Sequence, residues 1–212
     1  MSIDLTGKFL VASPHLSDGN FLRSVVFILR HDPQGAFGLA LDRPTDRKFG
    51  DLIQMSSQKG PSRDDDFIYV GGPVQGPLLA LHDLAGVGDP VGQVGDDPSG
   101  QCVVHDNPAE PWGSMSIELG NPPAWITGDE DHLRILYRRL DVRVRFVADY
   151  SGWGPQQLDL EFQAGGWLYC DATSDLVFGP PDQLWRQCVC RCGNEVFGDT
   201  VPGMQSVSPT VN

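Results

Sequence analysis

The stretch SVVFILRHDPQGAFGLALD at 24–42 constrains the fold more than any other part of the chain. Two runs rich in branched and bulky apolar side chains, 24–30 and 36–42, flank a short polar turn. Branched side chains fit a pleated strand better than a helix. Pro33 presets φ at the second position of a turn, and Gly35 supplies the positive φ that hairpin closure often needs. The stretch reads as a β-hairpin, its first strand too uniformly apolar to lie on a half-exposed sheet. Further strands are expected at 8–13, 67–72, 78–82 (as the neighbour of 67–72), 142–147 and 166–170, with weaker candidates at 102–105 and 124–127. The alternation at 142–147 predicts Val142, Val144 and Phe146 facing inward.

Helical spacing is clearest over 129–140, where Leu133, Leu136, Tyr137 and Leu140 repeat on one face, with acidic residues first and arginines last. A short helix is expected within 49–55. Another is expected between Pro155 and Gly165, and a last one over 181–190 with Leu184 and Cys188 on one face. Polar, Gly- and Pro-rich stretches at 56–66 and 85–100 read as loops. Strands cluster early and helices fall between later strands. The pattern predicts one α+β domain over 1–200 with a mixed, mostly antiparallel sheet, followed by an aperiodic, mobile tail at 201–212.

The charge narrows the function. The chain carries 28 Asp and Glu against 15 Lys and Arg, a net charge of −13. Nucleic-acid binding draws its strength from Lys and Arg on phosphates, so direct DNA contact is disfavoured. Arg134, Arg138, Arg139, Arg143 and Arg145 form the strongest basic grouping; they read as a solvated helix face plus the outer face of a strand. No secretory leader or membrane-length apolar run is seen, which points to the cytoplasm. Five cysteines fit a reducing compartment. Cys188, Cys190 and Cys192 lack a paired CxxC spacing; as a helix they would turn Cys188 and Cys192 to one face and Cys190 away, and as a strand all three would share a face.

Three blocks carry a resemblance. FLVASPHLSDGNFLRSVVFILRHDPQGAFGLALDRP, VGGPVQGPLLALH and YSGWGPQQLDLEFQAGGWL occur in order across 9–168. Together they resemble the AlgH/YqgE family of bacterial proteins. Asp149 departs from it, standing where the family commonly has glycine. The resemblance implies a bifurcated, mostly antiparallel sheet curled into a pseudo-barrel with flanking helices. The family is labelled as transcriptional regulators on genetic grounds and has no established catalytic mechanism. No helix-turn-helix, phosphate loop, GxSxG or HExxH is present, and no cofactor or metal is expected. The expectation is a regulatory or interaction protein that binds a protein or small ligand through the hairpin turn at 31–38 and the Gly-Gly-Pro corner at 71–73. Candidate ligand contacts are Arg23, His31, Asp42, Arg43, Gly71, Gly72, His82, Trp153, Gln157 and Glu161. The alternative is an enzyme or metal-dependent protein joining His31 and His82 to a carboxylate such as Asp42 or Glu161.

Overall fold

A computed structural model describes residues 4–16, 18–52, 62–84, 115–117 and 124–200, without the side chains of 115–117 and 194–200. The expected strand at 102–105, the whole loop at 85–100, residues 56–61 of the loop at 56–66 and the tail at 201–212 lie outside the described residues.

The elements run β1 (Lys8–Ala12), β2 (Val25–Asp32), β3 (Gly35–Ala40), β4 (Pro44–Lys48), α1 (Phe49–Leu52), β5 (Phe67–Val70), β6 (Val74–His82), β7 (Met115–Ile117), β8 (Ala124–Thr127), α2 (Glu130–Arg138), β9 (Val144–Trp153), α3 (Gln157–Gln163), β10 (Trp167–Asp171), α4 (Ser174–Val177) and α5 (Pro181–Thr200). The sheet order is β10-β1-β2-β3-β9-β6-β8-β7, with β4 and β5 branching from β9. The hairpin forms as expected, with Asp32 opposite Gly35, whose φ is +136°.

The ten residues of β9 split the sheet. Its last residues pair antiparallel with β3, Gly38 opposite Ser151 and Ala36 opposite Trp153. Its first residues pair antiparallel with β6 and parallel with β5. The sheet is therefore bifurcated and mostly antiparallel, and it is not closed into a barrel. The expected pairing of 78–82 with 67–72 is corrected: β5 and β6 flank β9 on opposite sides and do not pair with each other.

Both faces of the central strands are covered, which explains their uniformly apolar sequence. Phe9, Val11, Phe27, Leu39 and Leu41 face α5, where Leu184, Cys188 and Cys192 pack. Leu10, Val26, Ile28 and Ala40 face the opposite side, toward Trp153, Leu158 and Trp167. A third cluster sits under α2, where Phe49 stacks on Phe146 with centroids 3.7 Å apart and joins Leu136 and Tyr137. Asp129 caps α2 by accepting from the amides of Asp131 and His132. Leu140 lies past the end of that helix and is exposed, contrary to the periodic reading. Pro155 precedes α3, which begins after Gln156 in the left-handed region.

Two arginines defy the surface reading of charge. Arg145 is buried and donates to the carbonyls of Leu41 (2.6 Å) and Gly179 (2.5 Å), with its guanidinium 4.5 Å from the Tyr69 ring centroid. Alternation placed Arg145 outward, but the outward face of β9 is itself covered. Burial lowers its pKa. Arg63 is also buried and donates to the carbonyls of Leu136, Arg139 and Val142, closing the C-terminus of α2. The expected basic grouping is thus dispersed. Arg134 pairs with Glu130 and Asp131, Arg139 with Asp141, and Arg143 with Asp83 and Asp175.

The Gly71–Gly72 corner passes against the point where β9 divides. A Cβ on Gly71 would lie 2.4 Å from the Asp149 carbonyl oxygen, and one on Gly72 would lie 2.3 Å from that of Tyr150. Real Cβ atoms do not approach backbone so closely, so both positions require glycine. Gly71→Ala is expected to lower stability by about 2 kcal/mol, measured as a reduced urea midpoint with an unchanged slope.

Candidate functional site

The anticipated residues separate into three places. The first is the end of the β2–β3 hairpin opposite the turn. The Ser24 hydroxyl and the Val25 amide both donate to Asp42 Oδ1, each at 2.9 Å. Burial outweighs these bonds and raises the Asp42 pKa. Arg23 and Arg43 flank this link. The Arg43 carbonyl accepts from the Val70 amide (2.9 Å) and that of Gly71 accepts from the Ala40 amide (2.8 Å), which ties the glycine corner to the hairpin. Gly71 and Gly72 are themselves buried. The two glycines shape the backbone, while Pro73 of the same corner is exposed.

The second place is α3. The Glu161 carboxylate accepts from both indoles, Trp153 Nε1 at 3.1 Å and Trp167 Nε1 at 2.9 Å, and from the Gln157 amide at 2.9 Å. The Gln157 side-chain oxygen in turn accepts from the Gly154 amide at 3.1 Å. Phe21 stacks on Trp153, with centroids 5.7 Å apart. The spacing of the third sequence block is explained: one carboxylate, a helical turn from Gln157, clamps two tryptophans from β9 and β10 under α3. Its acceptor capacity goes largely into the fold.

A cleft of about 690 Å³ opens between α3 and the hairpin turn, lined by Leu5, His31, Asp32, Asp159, Leu160 and Phe162 among others. His31 is half-buried, and its Nδ1 accepts from the Leu5 amide at 3.4 Å. The neutral ring therefore carries its proton on Nε2. Leu160 is 63% exposed, the highest value among the described large apolar side chains.

The third place is the far end of β9. His82 is fully buried, stacks against Trp125, and neither ring nitrogen has a hydrogen-bond partner. Burial pushes its pKa down to about 4. The strand register separates the two histidines. His31 pairs with Ala36, which pairs with Trp153 at one end of β9; His82 pairs with Val144 at the other. Nine strand steps separate these ends, on the order of 30 Å. The proposed His31–His82 site is therefore corrected: the residues do not share a pocket. Among the described residues no group of three or more His, Cys, Asp or Glu is placed to hold a metal. Cys188 and Cys192 are buried on one face of α5 and Cys190 is exposed, as helical spacing predicted.

Sequence reading missed Arg145 and Arg63. For the first, Arg143 and Arg145 occupy equivalent positions of one apolar alternation, and nothing local marks only Arg145 as buried. For Arg63, within a polar stretch, there was no signal.

This architecture defines a single-domain α+β protein built on a bifurcated sheet. The chain belongs to the AlgH-like family, whose profile matches residues 9–196. A UPF0301 protein of Myxococcus xanthus is 32% identical over 184 residues, covering 86% of this chain and 87% of the relative. One from Streptomyces coelicolor is 34% identical over 191 residues, covering 88% and 86%. The solution structure of the AlgH protein from Pseudomonas aeruginosa superposes with a TM-score of 0.62 at 24% identity, covering 97% of this chain and 98% of that one. A crystal structure of a Corynebacterium diphtheriae protein gives 0.55 at 21% identity, covering 95% and 90%. At these identities the solved structures speak to the fold. No helix of the described residues is long and apolar enough to cross a membrane.

The buried histidine carries a pH signature. Its folded pKa lies below the ordinary value of 6.5, so the unfolded chain binds the extra proton first as pH falls. The His82 contribution is complete above about pH 6.5 and is lost toward about pH 4, by up to about 3 kcal/mol. Urea midpoints across this window are expected to fall less steeply in His82→Phe than in the wild type. Removing the clamp in Glu161→Ala leaves two indole donors without their acceptor and is expected to cost about 2–3 kcal/mol, read by thermal unfolding and a shift in tryptophan emission.

Proposed function

We propose that this chain is a non-enzymatic regulatory or interaction protein that binds a protein or small ligand through the cleft between the hairpin turn and α3. It works in the cytoplasm and does not contact DNA directly. One observation carries the reading: a cleft of about 690 Å³, within the usual range of ligand sites, has the most exposed large apolar side chain of the described residues, Leu160, on its lining. An exposed leucine beside half-buried Phe162, with polar groups from His31, Asp32 and Asp159, combines apolar contact with a few orienting donors and acceptors. The anticipated polar residues support binding over catalysis. Glu161 and Asp42 are engaged in structural hydrogen bonds, and among the described residues no nucleophile is paired with a base around His31. The net charge of −13 and the ion pairing of Arg134, Arg139 and Arg143 argue against a nucleic-acid surface.

A photo-reactive amino acid placed at position 160 in living bacteria is expected to give a discrete adduct identifiable by mass spectrometry. The same group at Ile135, an exposed apolar position on α2, serves as the control. Equal labelling at both positions would remove the cleft from consideration. Gel-shift binding to duplex DNA at low salt, abolished by added salt, would overturn the exclusion of DNA.

A further inference from the structure

The indole clamp leaves part of Glu161 unused. Its Oε2 accepts from both Trp153 Nε1 (3.1 Å) and Trp167 Nε1 (2.9 Å), while its Oε1 accepts from the Gln157 amide alone (2.9 Å). A carboxylate offers about four lone-pair positions, so one on Oε1 remains open. All three donors are neutral, and among the described residues no Lys, Arg or His pairs with this side chain. An exposed carboxylate without a cation is solvated by water. Glu161 is half-buried beside aromatic rings, where an unpaired charge gains most from a cation brought to it.

A cavity of about 410 Å³ adjoins Glu161, between the chain at 15–21 and the C-terminal end of α3. It shares no lining residue with the cleft at the hairpin turn, and its volume falls in the usual range of small-molecule sites. Phe21 and Trp167 line it, their ring centroids 5.3 Å apart and their planes at 69°. Phe21 is half-buried and still reaches solvent, whereas Trp167 is 2% exposed. Asp18 adds a second carboxylate, and no Lys or Arg lines the cavity; the imidazole of exposed His15 is its only basic group. Aromatic faces and carboxylates both attract positive charge and repel negative charge. Enclosure, an aromatic ring and a fixed carboxylate therefore select the same kind of ligand.

We propose that this cavity binds a small organic ammonium ion, its nitrogen against Glu161 Oε1 and its carbon groups against the Phe21 ring. The indole bonds hold the carboxylate in place before a ligand arrives, so little ordering is left to binding. The site is independent of the cleft at the hairpin turn and of the function proposed for it.

The test uses isotope-labelled full-length protein at constant ionic strength, titrated separately with choline, butylammonium and neohexanol, the uncharged carbon counterpart of choline. The ammonium ions are expected to shift the Trp153 and Trp167 indole N–H signals and the Gly165 and Gly166 amides saturably, and neohexanol is not. A stronger response to butylammonium identifies a primary amine that donates to Oε1. A stronger response to choline identifies a methylated ammonium held by the ring. Ala164 is exposed at the end of α3 in ordinary helical conformation and takes no part in the clamp. Ala164→Arg is therefore expected to keep the wild-type thermal midpoint while its fixed charge lowers ammonium affinity roughly tenfold or more. Asp18→Asn retains the oxygen that accepts from the Asn20 amide at 2.7 Å. It is expected to weaken binding roughly twofold, as suits an exposed charge. Equal shifts with neohexanol, no saturable shift with either ammonium ion, or unchanged affinity in the folded Ala164→Arg variant would overturn the site.

Discussion

The structure depends on one strand serving three neighbours. β9 gives one end to β3 and the other to both β5 and β6, so the main chain of ten residues joins the two halves of the sheet. Where it passes from one partner set to the other, Asp149 adopts φ +64° and its carboxylate accepts from the Gly76 amide at 3.1 Å. The resemblance placed glycine at this position. Here the aspartate takes up the unusual conformation, which short polar side chains tolerate better than bulky ones, and adds a bond to β6. Gly71 and Gly72 complete the junction by letting the β5–β6 corner pass within contact of the Asp149 and Tyr150 carbonyls.

Buried polar groups secure the pieces around that strand. Arg145 ties the end of the hairpin to the segment before α5, Arg63 closes α2, and Glu161 locks α3 onto β9 and β10. Arg145 and Arg63 are buried and Glu161 partly so, each with several donors or acceptors satisfied, the condition under which such burial is tolerated. His82 is the exception. With both ring nitrogens unbonded it is kept neutral, a cost the surrounding apolar packing must offset.

The same economy shapes the surface. Motifs that look functional in sequence, such as the Trp-Gln-Glu-Trp set, are mostly consumed by the fold. Among the described residues, the cleft beside α3 stays open. It offers apolar contact with polar edges.

Local sequence alone determined the hairpin and, for Leu133, Leu136 and Tyr137, the buried face of α2; Cys190 diverges from Cys188 and Cys192 because their segment is helical. Each follows from backbone preference or short-range periodicity, which act within a few residues. Tertiary structure decided what periodicity cannot carry. It placed β5 and β6 on opposite sides of β9, because pairing depends on partners 60 or more residues away. It buried Arg145, because alternation assigns faces but does not say whether the second face is covered. It sent His31 and His82 to opposite ends of one strand, because their separation is set by register through intervening strands.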